Sequence, residues 1–325
     1  MAGKKASGKE KLKRADKKAG KQAIKENMEF SPTIFDDVYR TLISRMPQFV
    51  IPVINDAFGT KYRMDTEFEQ LKNEFYRKDG KIVTDSIFLI EGHIYHVECQ
   101  SNEDKTMAIR MFEYDFEIAL EHARKKKDYL HVELPESAVI YLRHAKNTPD
   151  KLTVEVSAPN GQKMTYESKV IKVQNYTKSV IFRKKLLLFL PFYVMRYEEE
   201  LETLDKDAKR LEALIKEYLD IYSKMEKVLE ENGVSELYGD LLGYILEIMD
   251  YMLRSQKKAR KEMDNMGGKI LESFTEKAEK KGAQKVVAAV KDIASGMKMS
   301  ELKKKYSAET IKSAKETIKA AKRIA

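Results

Sequence analysis

The sequence predicts an α/β fold of the α+β kind, followed by a helical C-terminal region. Three observations carry it. Runs of β-branched and aromatic residues with period two recur between residues 82 and 173, apolar residues step by three and four from 105 to 126, and helical spacing dominates from Glu198 onward. With 325 residues, 42% hydrophobic and 35% charged, the chain can bury a core and has room for more than one unit.

The first segment, residues 1–27, is rich in Lys, Gly and Ala and poor in bulky apolar residues, which predicts a disordered or loosely helical tail. Ser31-Pro32 is a helix-start signal ahead of Ile34, Phe35, Val38 and Leu42. One strand is expected over Ile82–Ile90, a turn at Glu91-Gly92, and a second strand over His93–Gln100. In that second strand His96, Glu98 and Gln100 share one face, while Tyr95, Val97 and Cys99 form the apolar face expected to meet the core.

A helix is expected from about Lys105 to Lys126, with Met107, Met111, Tyr114 and Ile118 on its apolar side. Strands follow near Ser137–Arg143, Lys151–Ser157 and Met164–Val173, the last two joined by a turn at Pro159-Asn160-Gly161. They suit a fourth core strand and an added hairpin, after which Ser179–Tyr197 turns helical. The stretch to Glu231 and a second from Ser235 to Met263 read as a helical hairpin, with Gly267-Gly268 as a break. This hairpin is expected to pack on the core or on a second copy of the chain. The last forty residues read as short helices broken at Ser295-Gly296 and Tyr306-Ser307. Either they form a helix-turn-helix whose final helix, carrying Lys312, Lys315, Lys319, Lys322 and Arg323, enters a major groove, or they form a basic amphipathic oligomerisation tail. The expected organisation is therefore 1–27 tail, 28–197 core, 198–266 helical region and 267–325 basic helical tail.

Charge is uneven along the chain. Residues 1–27 carry net +7 and residues 269–325 net +8, so a total of +9 leaves the middle at −6. Basic ends can grip a phosphate backbone by counterion release, and they also serve as solubilising tails. No apolar run reaches the roughly eighteen residues of a membrane span. A single cysteine and no apolar signal sequence make a reducing cytoplasm the expected compartment.

The chemistry-bearing pattern is Thr84-Asp85-Ser86 and, thirteen residues after Asp85, Glu98-Cys99-Gln100. An acid opening one strand and a Glu-x-Gln closing the next place two carboxylates and an amide at one end of a hairpin. Carboxylate oxygens suit Mg²⁺, with Mn²⁺ or Ca²⁺ as alternatives, and Mg²⁺ fills its remaining positions with waters and phosphate oxygens. Asp85 and Glu98, with a backbone carbonyl near Cys99, would form such a half-shell, and Gln100 would orient a water or a phosphate oxygen. Metal-assisted phosphodiester hydrolysis is the matching reaction. Asp36, at a helix start, is either a first-turn dipole partner or a further ligand. Arg110, four residues before Tyr114, either steadies a phosphate or Glu98, or forms an ordinary salt bridge. His93 and His96 lack zinc spacing and are left out of the shell.

These acids stand among motifs that resemble a known family. Phe35-Asp36-Asp37-Val38-Tyr39-Arg40, IPVINDAFG, TDSIFLIEG, HVECQS, RMFEYDFEIAL, RHAKNTPDKL, VIKVQNYT and LLLFLPFY, over about residues 34–200, resemble the recombination-promoting nuclease and transposase-like branch of the PD-(D/E)XK superfamily. The resemblance implies a small mixed sheet flanked by helices that cuts DNA. It places Asp85 as the first strand acid, Glu98 as the second, Asp36 as the acid of the preceding helix, and Gln100 where a lysine is usual. Glutamine orients and hydrogen-bonds but carries no charge. The implied activity is a Mg²⁺-dependent DNA endonuclease with DNA as partner and no organic cofactor; if the helical hairpin instead pairs two copies, a homodimer would suit double-strand cutting by presenting one site to each strand, and the absence of a long apolar run argues against a membrane. Two other functions fit the sequence: a silent DNA-binding protein that keeps the fold, and a helical scaffold that assembles through residues 198–263.

Overall fold

The computed structural model describes residues 34–77 and 80–324. The basic tail and the Ser31-Pro32 signal lie outside them. The described residues up to Lys257 form one compact unit and those from Lys258 onward a second.

The first unit opens with helix α1 (Ile34–Arg45), whose Ile34, Phe35, Val38, Tyr39, Leu42 and Ile43 recur at helical spacing and are all buried. Helix α2 (Val50–Phe58) ends at Gly59, whose φ of +73° is the left-handed cap that glycine adopts without steric cost. Among the described residues the strands that follow are β1 (Glu69–Gln70), β2 (Glu74–Arg77), β3 (Gly80–Val83), β4 (Ser86–Ile90), β5 (His93–Gln100), β6 (Arg124–Lys125), β7 (Leu130–His131), β8 (Glu136–Tyr141), β9 (Lys151–Ser157) and β10 (Lys163–Lys172). Six of them make a mixed sheet in the order β1-β4-β5-β8-β10-β9. β4 and β5 are antiparallel, with Ser86 opposite Val97. β5 then runs parallel to β8, Glu98 opposite Val139, with helix α3 (Met107–Glu121) as the crossover. β8 runs parallel to β10, and β9 closes the far edge antiparallel to β10.

β5 is central and is buried on both faces from Tyr95 to Cys99, so the face holding His96 and Glu98 meets the interior as fully as the apolar one. Met107 and Met111 of α3 pack with Val139, Tyr141 and Tyr166. Helices α4 (Lys178–Lys184), α5 (Ala208–Glu231) and α6 (Tyr238–Met252) complete the unit. Residues 198–252 therefore share a compact unit with the sheet. Arg143 explains part of this: it makes a bidentate pair with Glu198 at 2.6 and 2.8 Å and stacks 4.9 Å from the Phe35 ring, which meets Tyr251 of α6 edge-on.

Several expected elements are redrawn. The run 82–90 is two strands, because Asn73 clamps Thr84 on both sides: it accepts from the Thr84 N–H at 2.9 Å and donates to the Thr84 carbonyl at 2.8 Å. β3 pairs with β2, while β4 pairs with β5, and Asp85 sits at the break. The helix expected to reach Lys126 ends at Glu121 and gives way to the β6–β7 ribbon. The segment 179–197 is helical only as far as Lys184. Lys185 then takes a positive φ of +56°, and two 3₁₀ runs, Leu187–Phe189 and Tyr193–Tyr197, flank Pro191, which has no N–H to continue a helix. The stretch Ser235–Met263 is interrupted after Met252.

Helix α7 (Lys257–Ala294) runs through Gly267-Gly268 without a break, since glycine costs a helix interior only about 1 kcal/mol. Helices α8 (Met299–Lys305) and α9 (Ala308–Ile324) follow, separated at the two breaks the sequence indicates. Gly296 has φ +84°, and the Ser307 hydroxyl caps α9 by accepting from the Thr310 N–H at 3.2 Å. Asp292 ties α7 to α8, accepting from Lys305 and from the Tyr306 hydroxyl, each at 2.7 Å. Lys312 and Lys315 are exposed on α9, and the side chains of Lys319, Lys322 and Arg323 lie outside the described residues. Among the described residues no helix is long and apolar enough to cross a membrane.

Candidate active site

The break between β3 and β4 releases Asp85 from the sheet ladder and lets its side chain and backbone bond across to β5. The Asp85 N–H donates to Glu98 Oε1 at 2.8 Å, and Asp85 Oδ2 accepts from the Cys99 N–H at 2.9 Å. The two acids are thus laced together at the end of the β4–β5 pair. Only 8% of the Asp85 side chain and 3% of the Glu98 side chain is exposed.

Burying two carboxylates side by side is unfavourable when both are charged. Burial first, and the Glu98 charge second, push the Asp85 carboxyl up to about 7, against the opposing pull of the Cys99 N–H and Arg40. Asp36, half-buried in the first turn of α1, is raised as well: by burial chiefly, with Arg40 opposing and the charges of Asp37 and Glu98 adding. The field of Glu98 therefore reaches Asp36 as it reaches Asp85, and all three acids share one region. Arg40 Nε donates to Asp85 Oδ1 at 3.2 Å.

Behind the acids lies a buried relay. His96 Nε2 donates to Glu98 Oε1 at 2.9 Å and its Nδ1 lies 2.6 Å from Asp115 Oδ1. Asp115 Oδ2 accepts from the Tyr166 hydroxyl at 2.6 Å, and that hydroxyl lies 3.1 Å from Ser137 Oγ. His96 and Asp115 are fully buried. Burial alone would lower the imidazole, but the hydrogen bonds and charges of Asp115 and Glu98 prevail and raise it to about 10. The ring is an imidazolium with both nitrogens donating, so it has no lone pair for a metal. It acts on Glu98 instead: with the Asp85 N–H it saturates Oε1 and leaves Oε2 as the free acceptor.

Sequence reasoning missed this relay. Its signal was Asp115 itself, which falls in step with Met107, Met111 and Ile118 on the apolar face of α3. A carboxylate in an apolar stripe implies a buried partner.

Gln100 is half-buried at the end of β5 on the same face as Glu98. Arg110 is not paired with Glu98. It donates to Asp104 at 3.0 Å and, through Nε, to the Tyr114 hydroxyl at 3.3 Å, and it feels the Glu98 charge only at a distance. Gln174 and Tyr176 act as pins, the first donating to the Met195 carbonyl at 2.8 Å and the second to Asp56 at 2.6 Å. Cys99 is buried, and burial together with the neighbouring acids raises its thiol well above the usual range.

Among the described residues no three His, Cys, Asp or Glu side chains group as a ready metal cage. The donor set at hand is Asp85 and Glu98. Its chemistry fits a small hard divalent cation, which needs only one or two carboxylates and completes its shell with water. No family model, curated protein or solved structure matches the chain.

Proposed function

We propose that this chain is a Mg²⁺-dependent endonuclease of PD-(D/E)XK type that hydrolyses phosphodiester bonds in DNA. The carrying observation is the Asp85–Glu98 pair, two carboxylates with buried side chains laced across adjacent strands, with His96 as the buried cation beside Glu98. The order of an antiparallel pair, a crossover helix and a parallel strand supports the reading, as does the family resemblance over about residues 34–200.

Asp85 and Glu98 would hold the cation, with Asp36 adding negative charge from α1. When bound, the cation supplies charge stabilisation at the phosphate and lowers the pKa of an attacking water. The chain's own residues do the rest. His96, fixed by Asp115, holds Glu98 in one orientation, the role that outer residues commonly fill behind metal ligands. The Cys99 N–H does the same for Asp85. Gln100 accepts or donates a hydrogen bond to position a water or a phosphate oxygen. The basic segments 1–27 and 269–325 supply sequence-independent attraction to DNA.

Gln100 favours a second reading, a DNA-binding protein that has lost cutting, because glutamine cannot supply charge beside the phosphate. Incubation of supercoiled plasmid with Mg²⁺ or EDTA separates the two. The endonuclease nicks only with Mg²⁺ and loses nicking in Asp85→Ala and Glu98→Ala. A wild type that shifts DNA but never nicks it establishes the second reading.

A further inference from the structure

The acid pair has a cation of the chain's own beside it. Arg40 stands on α1 four residues after Asp36, so the two share a helix face. It meets Asp85 through Nε alone, and its side chain is 58% exposed where that of Asp85 is 8%. A single exposed ion pair of this kind contributes little to stability. Its placement matters more. An arginine that spends Nε on a carboxylate still presents its two terminal nitrogens as a fork, the geometry that matches two oxygens of a phosphate.

The surroundings leave that task open. Gln100, where the resemblance would place lysine, is uncharged. Arg110 is committed to Asp104 and Tyr114. His96 is enclosed between Glu98 and Asp115. A phosphodiester approaching Asp85 and Glu98 would bring a third negative charge to a site that already strains against two, and among the described residues Arg40 is the exposed positive side chain bonded to that pair.

We infer that Arg40 is the phosphate-contact residue of this site, its guanidinium fork taking the non-bridging oxygens of the scissile phosphodiester in the role that lysine would fill at position 100. The inference rests on the nuclease reading for the word scissile. The contact itself can be measured without turnover.

The test is binding of a short DNA duplex in Ca²⁺ by wild type, Arg40→Ala, Arg40→Lys and Arg40→Ala combined with Gln100→Lys, beside calorimetric titration of each with Mn²⁺. Loss of a charge-assisted contact predicts duplex affinity about tenfold to a hundredfold weaker in Arg40→Ala, with Mn²⁺ binding retained. The salt slope should fall by about one, as for one phosphate contact. Arg40→Lys and the double variant should each recover part of the affinity. Duplex binding unchanged in Arg40→Ala overturns the inference. So does loss of Mn²⁺ together with DNA, which would make Arg40 a prop for Asp85. Absence of plasmid nicking by wild type counts against the nuclease reading and leaves this binding result to stand or fall by itself.

Discussion

Asp85 is held where a carboxylate is least comfortable, and that discomfort is measurable. Its native carboxyl titrates near 7 against an ordinary 3.8, so the folded state binds the extra proton and stability falls as pH rises between those values. Asp85→Asn removes the charge. At pH 8 and without divalent ions the variant should be more stable than wild type, by on the order of 2–4 kcal/mol, and the gap should close towards pH 4. Denaturant midpoints across that range check it, and a gap independent of pH contradicts it. The acid pair was legible in the sequence because Asp85 and Glu98 bracket apolar runs. The relay behind it was not, because His96 sits two residues from Glu98 and nineteen from Asp115, a pairing that only the packing of α3 on the sheet creates.

At the scale of elements, alternation read directly: β9 keeps a strict exposed and half-buried rhythm from Lys151 to Ser157, matching the expected strand residue for residue. What period could not show was where a run stops being one strand. The division of 82–90 depends on Asn73, a residue in a preceding loop, and the division of 179–197 depends on Pro191 and the left-handed Lys185. Glycine misled in the opposite sense. Gly267-Gly268 reads as a break, yet the helix continues through it, and an added methyl group at Gly268 would meet nothing within 4 Å. Gly268→Ala should therefore stabilise α7 by about 0.5–1 kcal/mol. A raised melting temperature confirms the continuous helix, whereas a destabilised variant would restore the break.

For the whole molecule, the division after Lys257 and the contacts of Arg143, Glu198, Phe35 and Tyr251 make a concrete claim. A chain ending at Lys257 should unfold cooperatively, and one ending at residue 197 should not, because it strips away Glu198 and the helices whose apolar faces are buried with the rest of the unit. Circular dichroism through a urea titration distinguishes them; a cooperative transition in the shorter chain would show that the sheet stands without α5 and α6. The sequence separated these regions by their change of period, and period carries no information about which elements share a core. On the proposed function, the buried Asp85–Glu98 pair holds a divalent cation. Calorimetric titration of Mn²⁺ into wild type, Asp85→Asn and Glu98→Gln tests it most directly. One ion per chain is expected in wild type, with protons released below about pH 7 as Asp85 ionises, and no binding at this site in either variant. Wild type that takes up no ion, or variants that bind as wild type does, would contradict it.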